Sequence, residues 1–200
     1  MTKKSIATAV FGLITNFLLF TVKLYVGISS NVLCIYCDAI NNLGDTLSCI
    51  IALIGFVLVM KLNEKKGKRT EALAGFVIGI IVAVTGAMCI YNGFERFVYP
   101  VLVSFSFKYA VLIGATAAVK LIMGIVYTAV NKKTPSPVLQ AMMLDSYLDF
   151  GITLISLTGF YLIEKINFAA DGVFGIIIGI IIFVSAAKSV YQQAKFIIND

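Results

Sequence analysis

Residues 37–46 read CDAINNLGDT, with the apolar run VLCIY upstream and LSCIIALIGFVLVM downstream. Four polar side chains, Asp38, Asn41, Asn42 and Asp45, therefore interrupt what is otherwise one long hydrophobic helix. A second acidic pair, Asp145 and Asp149, lies in another apolar stretch. Asn41 and Asp45 are four residues apart, as are Asp145 and Asp149, so each pair lies on one face of a helix. An Asp at mid-bilayer costs about 2.5–3.5 kcal/mol, so Asp38, Asp45, Asp145 and Asp149 together would cost on the order of 10 kcal/mol. Protonation, a basic partner, water in a cavity or a bound cation must offset that cost. If the two helices face each other, Asn41, Asp45, Asp145 and Asp149 bring one amide oxygen and three carboxylates to a single cation site.

The elements that would position these residues follow from composition. The chain has 200 residues, is 60% hydrophobic and 13% charged, and lacks Trp and His. Its mean hydropathy is +0.99. A soluble domain carries nearer a quarter charged residues, so this is an all-α integral membrane protein. Six spans are expected, at about 5–27, 31–60, 71–97, 102–130, 138–163 and 170–192. They make one transmembrane domain over residues 1–200, with short connections. The first span is too long for a cleaved signal peptide, and no small-residue cleavage site follows it. Lys3, Lys4, Lys61, Lys65, Lys66, Lys68, Arg69, Lys132, Lys133 and Lys195 fall at alternate span ends. The positive-inside rule then puts both termini in the cytoplasm, and the plasma membrane is the expected location. The net charge of +6 reports that topology, so no nucleic-acid partner is expected.

The two halves of the chain resemble each other. Lys23-Leu-Tyr-Val-Gly27 is echoed by Lys120-Leu-Ile-Met-Gly124, Asn41-x-x-x-Asp45 by Asp145-x-x-x-Asp149, and Gly75-x-x-x-Gly79 by Gly175-x-x-x-Gly179. Three echoes in matching order predict two three-helix repeats, and because three is odd the second must be inverted. Gly75 and Gly79, continued by Ala83 and Ala87, form a small-residue groove, and Gly175 and Gly179 form another. Spans 3 and 6 are expected to pack through them, leaving spans 1, 2, 4 and 5 as a four-helix bundle. A dimer contact through the same grooves is the alternative.

The donor set speaks to the ion. All four candidate ligands are hard oxygen donors, which suit Mn²⁺, Mg²⁺, Ca²⁺ and Fe²⁺, whereas Zn²⁺ sites usually recruit His or Cys. Mg²⁺ dehydrates reluctantly, which leaves Mn²⁺ as the best fit among transition metals. Cys37 and Cys49 lie one turn from Asn41 and Asp45, and coordination by either would soften the preference toward Zn²⁺, Cd²⁺ or Co²⁺. Cys34 and Cys37 form a CxxC on one helical face, more simply read as two small buried residues. The four cysteines give no disulfide framework. Asp38 is expected to pair with Lys23 rather than bind metal, and the competing reading has Lys120 hold Asp145 in the same way, leaving a poorer metal site.

These residues resemble the cation diffusion facilitator family. Asn16, Lys23 and Gly27 are similar to its span 1 pattern, and Asp38-Ala-Ile-Asn41-Asn-Leu-Gly-Asp45 to its span 2 signature. Gly67-Lys-Arg-Thr-Glu71-Ala-Leu-Ala resembles the entry to span 3. Asp171-Gly-Val-Phe-Gly resembles the entry to span 6, with Asp171 as its N-cap. Asn on span 2 with Asp on span 5 resembles the manganese-exporting branch. The resemblance implies a homodimer that exports metal in exchange for protons. The loop KLNEKKGKRTE lacks the His/Asp-rich stretch of a second cytoplasm-facing metal site, and none is expected. Met142 stands where relatives often have Asp. The chain stops at Asp200, so the family's usual cytoplasmic C-terminal domain is expected to be absent.

The expected function is thus a divalent metal/proton antiporter that exports Mn²⁺ by alternating access, with no prosthetic group. Export of Zn²⁺, Fe²⁺, Co²⁺ or Cd²⁺ is the alternative within the family. A cation channel would need a continuous wet pore, and an intramembrane aspartyl protease has no use for Asn41 and Asp145. No enzymatic activity is expected.

Overall fold

The computed structural model describes residues 3–61, 64–133, 137–165 and 169–199. They form six helices: α1 (Lys3–Ser30), α2 (Leu33–Lys61), α3 (Glu64–Val98), α4 (Phe107–Lys133), α5 (Pro137–Lys165) and α6 (Ala169–Asn199). Among the described residues, α1, α3, α4, α5 and α6 each contain a stretch long and apolar enough to cross a membrane. Such stretches fold as helices because lipid offers no partner for backbone N–H and C=O groups. Large apolar side chains such as Phe11, Ile14, Leu18, Tyr25 and Ile28 of α1 accordingly point outward.

The helices alternate in direction, so the N-terminal end of α1, α3 and α5 lies with the C-terminal end of α2, α4 and α6. This is called here the terminal end, because it carries both chain termini. Helices α1, α2, α4 and α5 form a bundle through the α1–α2, α4–α5, α2–α5 and α1–α4 contacts. Helices α3 and α6 share the most extensive contact and flank α2 and α5. The two halves carry corresponding close approaches. A Cβ on Gly27 of α1 would stand 2.9 Å from Tyr36 N of α2, and one on Gly124 of α4 would stand 2.9 Å from the Tyr147 ring of α5.

The α3–α6 seam runs in sevens rather than fours. Ala72, Gly79, Gly86 and Gly93 of α3 and Gly172, Gly179 and Ala186 of α6 are buried along it. A Cβ on Gly172 would stand 2.5 Å from Gly93 O and Phe97 N, and one on Gly179 would stand 2.9 Å from Ile90 N. Seven residues is nearly two helical turns, so this stripe stays on the partner as the helices wind, whereas a four-residue stripe drifts away. Gly79 meets Val190 of α6 and Gly75 the Gln193 side chain of α6, while Gly175 packs on Leu33 of α2 and, at 3.7 Å, on Gly93 Cα of α3. Ala83 is half-buried and Ala87 is exposed.

At the end opposite the termini, α1 closes with a left-handed residue, Asn31 (φ 56°). Val32 N donates to Gly27 O (3.0 Å) and Asn31 N to Ile28 O (3.2 Å), the paired bonds of a Schellman stop. Asp171, expected as the N-cap of α6, lies inside that helix and caps α2 instead. Its carboxylate accepts Leu33 N (2.9 Å) and Cys34 N (3.1 Å), two of the free donors at the α2 start. Arg96 of α3 donates to the same carboxylate (2.7 Å) and to Asn31 O (2.6 Å).

Helix α4 begins at Phe107, later than the expected 102, because residues 101–106 are bonded to the α1–α2 turn. Ser104 N donates to Ser30 O (3.0 Å), and Asn31 Nδ2 donates to Leu102 O (3.0 Å). Two of the four cysteines also differ from expectation, since Cys37 of α2 and Cys89 of α3 form a disulfide. The side chains of Lys3, Lys4, Lys61, Lys65, Lys66, Lys68 and Arg69, on which the orientation rests, lie outside the described residues.

Candidate cation site

Asp45 lies 12 residues into α2 and Asp149 12 residues into α5, a depth of about 18 Å at 1.5 Å per residue. The α2–α5 contact brings the two faces together there. Asn41 Nδ2 donates to Asp149 Oδ1 (2.6 Å). Lys120 of α4 donates to Asp149 Oδ2, to Asp45 Oδ2 (3.4 Å) and to Asn16 Oδ1 of α1 (2.8 Å). All four bundle helices therefore contribute a polar side chain to one buried network. Asn16 in turn points Nδ2 at Cys49 Sγ (3.9 Å).

Asn41, Asp45, Asp145 and Asp149 all line one partly open cavity of about 40 Å³, together with Leu148, Ile152, Ile181, Ile182 and Ser185. That space suits one ion or a water or two, given about 30 Å³ per liquid water. The four side chains are not drawn around a point. Asp149 is buried, Asn41 and Asp45 are half-buried, and Asp145 stands exposed on the cavity wall. Among the described residues no three acidic or thiol side chains are close enough to hold a metal as they stand. Lys120, rather than the residues alone, sets the spacing of Asp45 and Asp149. Its bonds go to Asn16, Asp45 and Asp149 and not to Asp145, its partner under the competing reading.

A larger, partly open cavity of about 300 Å³ leads from Asn41, Asp45 and Asp145 between α2, α3 and α6. Its walls include Ser48, Ser185, Ser189 and Gln193, and it runs to Gly75 and Gln193 at the terminal end. Residue types alone did not mark these α6 positions, because small polar residues on an apolar helix also serve packing. At the opposite end the site is sealed by a core that includes Val32, Ile35, Ile113, Phe160 and Ile178.

The other singled-out residues lie apart from the carboxylates. Lys23 donates to Asp38 Oδ1 (2.8 Å) and to Thr153 Oγ1 (2.7 Å), with Lys23 and Asp38 fully buried. Cys37 is spent in the disulfide with Cys89 and offers no thiolate. Cys49 is a free thiol beside Asn16.

A helical membrane domain with a carboxylate pocket at mid-depth and a polar route to it is the architecture of a cation carrier, and a family comparison agrees. Residues 9–197 match the cation efflux transmembrane domain. The chain belongs to the cation efflux family. It is a multi-pass membrane protein and a metal cation transporter, not an enzyme. A comparison with curated proteins returns no match.

Proposed function

We propose that this transporter exports a divalent metal ion, with Mn²⁺ favoured, from the cytoplasm in exchange for protons. The observation that carries the reading is the cavity lined together by Asn41, Asp45, Asp145 and Asp149 at the inner end of a polar route. Its donors are oxygens only, the chemistry that suits Mn²⁺ over Zn²⁺. The terminal end is the cytoplasmic one by the positive-inside rule, so the route admits metal from the cytoplasm. Crowded carboxylates bind protons and metal in competition, so metal binding weakens as pH falls and an inward proton gradient drives metal out.

The test is metal uptake into inside-out proteoliposomes at controlled pH. An acidic interior is expected to drive saturable uptake of Mn²⁺ in preference to Zn²⁺. Asp45→Ala and Asp149→Ala are expected to cut uptake by about a hundredfold or more. Equal uptake by wild type and Asp149→Ala would make the carboxylates structural. Uptake that ignores the proton gradient would overturn the exchange.

A further inference from the structure

Lys120 is buried, and its three ammonium donors are all taken, by Asn16 Oδ1, Asp45 Oδ2 and Asp149 Oδ2. Its counterpart in the first repeat behaves differently. Lys23 has a carboxylate of its own, Asp38 on the neighbouring helix, and takes no part in the cavity. Asp38 precedes Asn41 by three residues, and the residue three before Asp145 is Met142. Met142 packs instead against the apolar cluster of Leu19, Met123 and Tyr127. The second lysine thus lacks a private partner and spans two of the three carboxylates that line the cavity, Asp45 and Asp149.

A divalent ion bound to Asp45 and Asp149 would stand within a few ångströms of this ammonium, screened from water, where like charges repel strongly. We propose that Lys120 is a tethered counter-cation of the substrate site, which a divalent metal ion must displace in order to bind. Displaced, the ammonium keeps Asn16 Oδ1 as a partner. The device sorts ions by charge. A free monovalent cation offers the carboxylates no more charge than the ammonium and competes against a group held at high effective concentration. A divalent ion brings twice the charge and wins the exchange. This inference rests on the proposed assignment of Asp45 and Asp149 as ligands.

The test is Mn²⁺ binding by calorimetry to the purified full chain in lipid nanodiscs at one pH. Loss of binding in Asp45→Asn and in Asp149→Asn is the control for the site itself. If wild type binds no Mn²⁺, or those variants bind it unchanged, the site assignment fails and this inference with it. With the site in place, Lys120→Ala is expected to bind Mn²⁺ at least tenfold more tightly. Propylammonium, which replaces the deleted group, should then raise the Mn²⁺ Kd of Lys120→Ala in proportion to its concentration without a plateau, and should leave wild type unaffected. A plateau would mean that ammonium and metal bind together, and no effect would mean that an ammonium does not compete for these carboxylates; either would overturn the displacement. Lys120→Arg supplies a second reading should Lys120→Ala not fold. Its guanidinium forks across two carboxylates and is harder to displace, so Mn²⁺ binding should weaken at least tenfold. Unchanged affinity in Lys120→Arg would overturn the proposal as well.

Discussion

Two buried lysines, each meeting an aspartate, perform different work because of what else each aspartate touches. Asp38 accepts Lys23 at 2.8 Å, and the Asn42 amide donates to the Asp38 backbone carbonyl at 2.9 Å. This cluster is fully buried and joins α1, α2 and, through Thr153, α5. Removing one partner strands a charge in the membrane. Lys23→Met is therefore expected to destabilise the folded protein by about 3–5 kcal/mol, and adding Asp38→Leu should recover most of the loss. Unfolding of the single and double variants in mixed micelles measures it, and equal stability of wild type and Lys23→Met would show the pair to be idle. Asn41 makes a different case, since its amide faces both Asp149 and the cavity. An imidazole there would add a borderline-soft donor, so Asn41→His is expected to shift metal preference toward Zn²⁺. An unchanged metal profile would remove Asn41 from the ligand set. The acidic residues were legible in the sequence because charge in an apolar helix demands an explanation. The Lys23–Asp38 pair was legible too, whereas the partners of Lys120 were not, because Asp145, Asp149 and Asp45 are all candidates and only packing chooses among them.

The helices themselves were legible from apolar run length, and their contacts only in part. The four-residue glycine spacing marked Gly79 and Gly179, which lie in the seam, and Gly75 and Gly175 at its flank, but passed over Gly86, Gly93 and Gly172. A repeat of seven is faint in one sequence when Ala and Gly share it. Because backbone atoms oppose Gly172, its neighbours have no flexible side chain to withdraw. Gly172→Ala is accordingly expected to separate α3 from α6 and lower thermal stability severely. Gly114→Ala, where a Cβ meets nothing within 4 Å, should leave stability unchanged. Similar melting temperatures for the two variants would refute the seam. The Asp171 cap had no local signal at all, since its partners Leu33 and Cys34 lie more than a hundred residues away in sequence. Deleting a cap costs about 0.5–2 kcal/mol, and Asp171→Ala also leaves Arg96 without its carboxylate. Faster amide hydrogen exchange across the first turn of α2 is the expected signature.

Across the whole molecule, one end of the site is open and the other is tied shut. The polar cavity serves the terminal end, whereas several ties at the opposite end join α2 or its preceding turn to α3 or α6. Those ties are the Asp171 cap, the Arg96 bonds to Asn31 and the Cys37–Cys89 disulfide. Alternating access by rocking the bundle against α3 and α6 would have to part them. The cap and the arginine bonds are non-covalent and can reform in a second arrangement, but the disulfide cannot part while oxidised. Its Cα atoms are 6.1 Å apart, which fixes α2 to α3 one turn below the cap. Two consequences are open to measurement. If α2 moves away from α3 during the cycle, oxidised protein is held with its terminal end open, and a membrane-permeant reductant raises Mn²⁺ uptake severalfold. The Cys37→Ser, Cys89→Ser double variant should then transport at the reduced rate with or without reductant. If instead oxidised wild type, with the bond verified by mass spectrometry of the unreduced protein, matches the double variant, α2 and α3 travel together. The moving boundary would then lie between α2 and α5, through the carboxylates themselves.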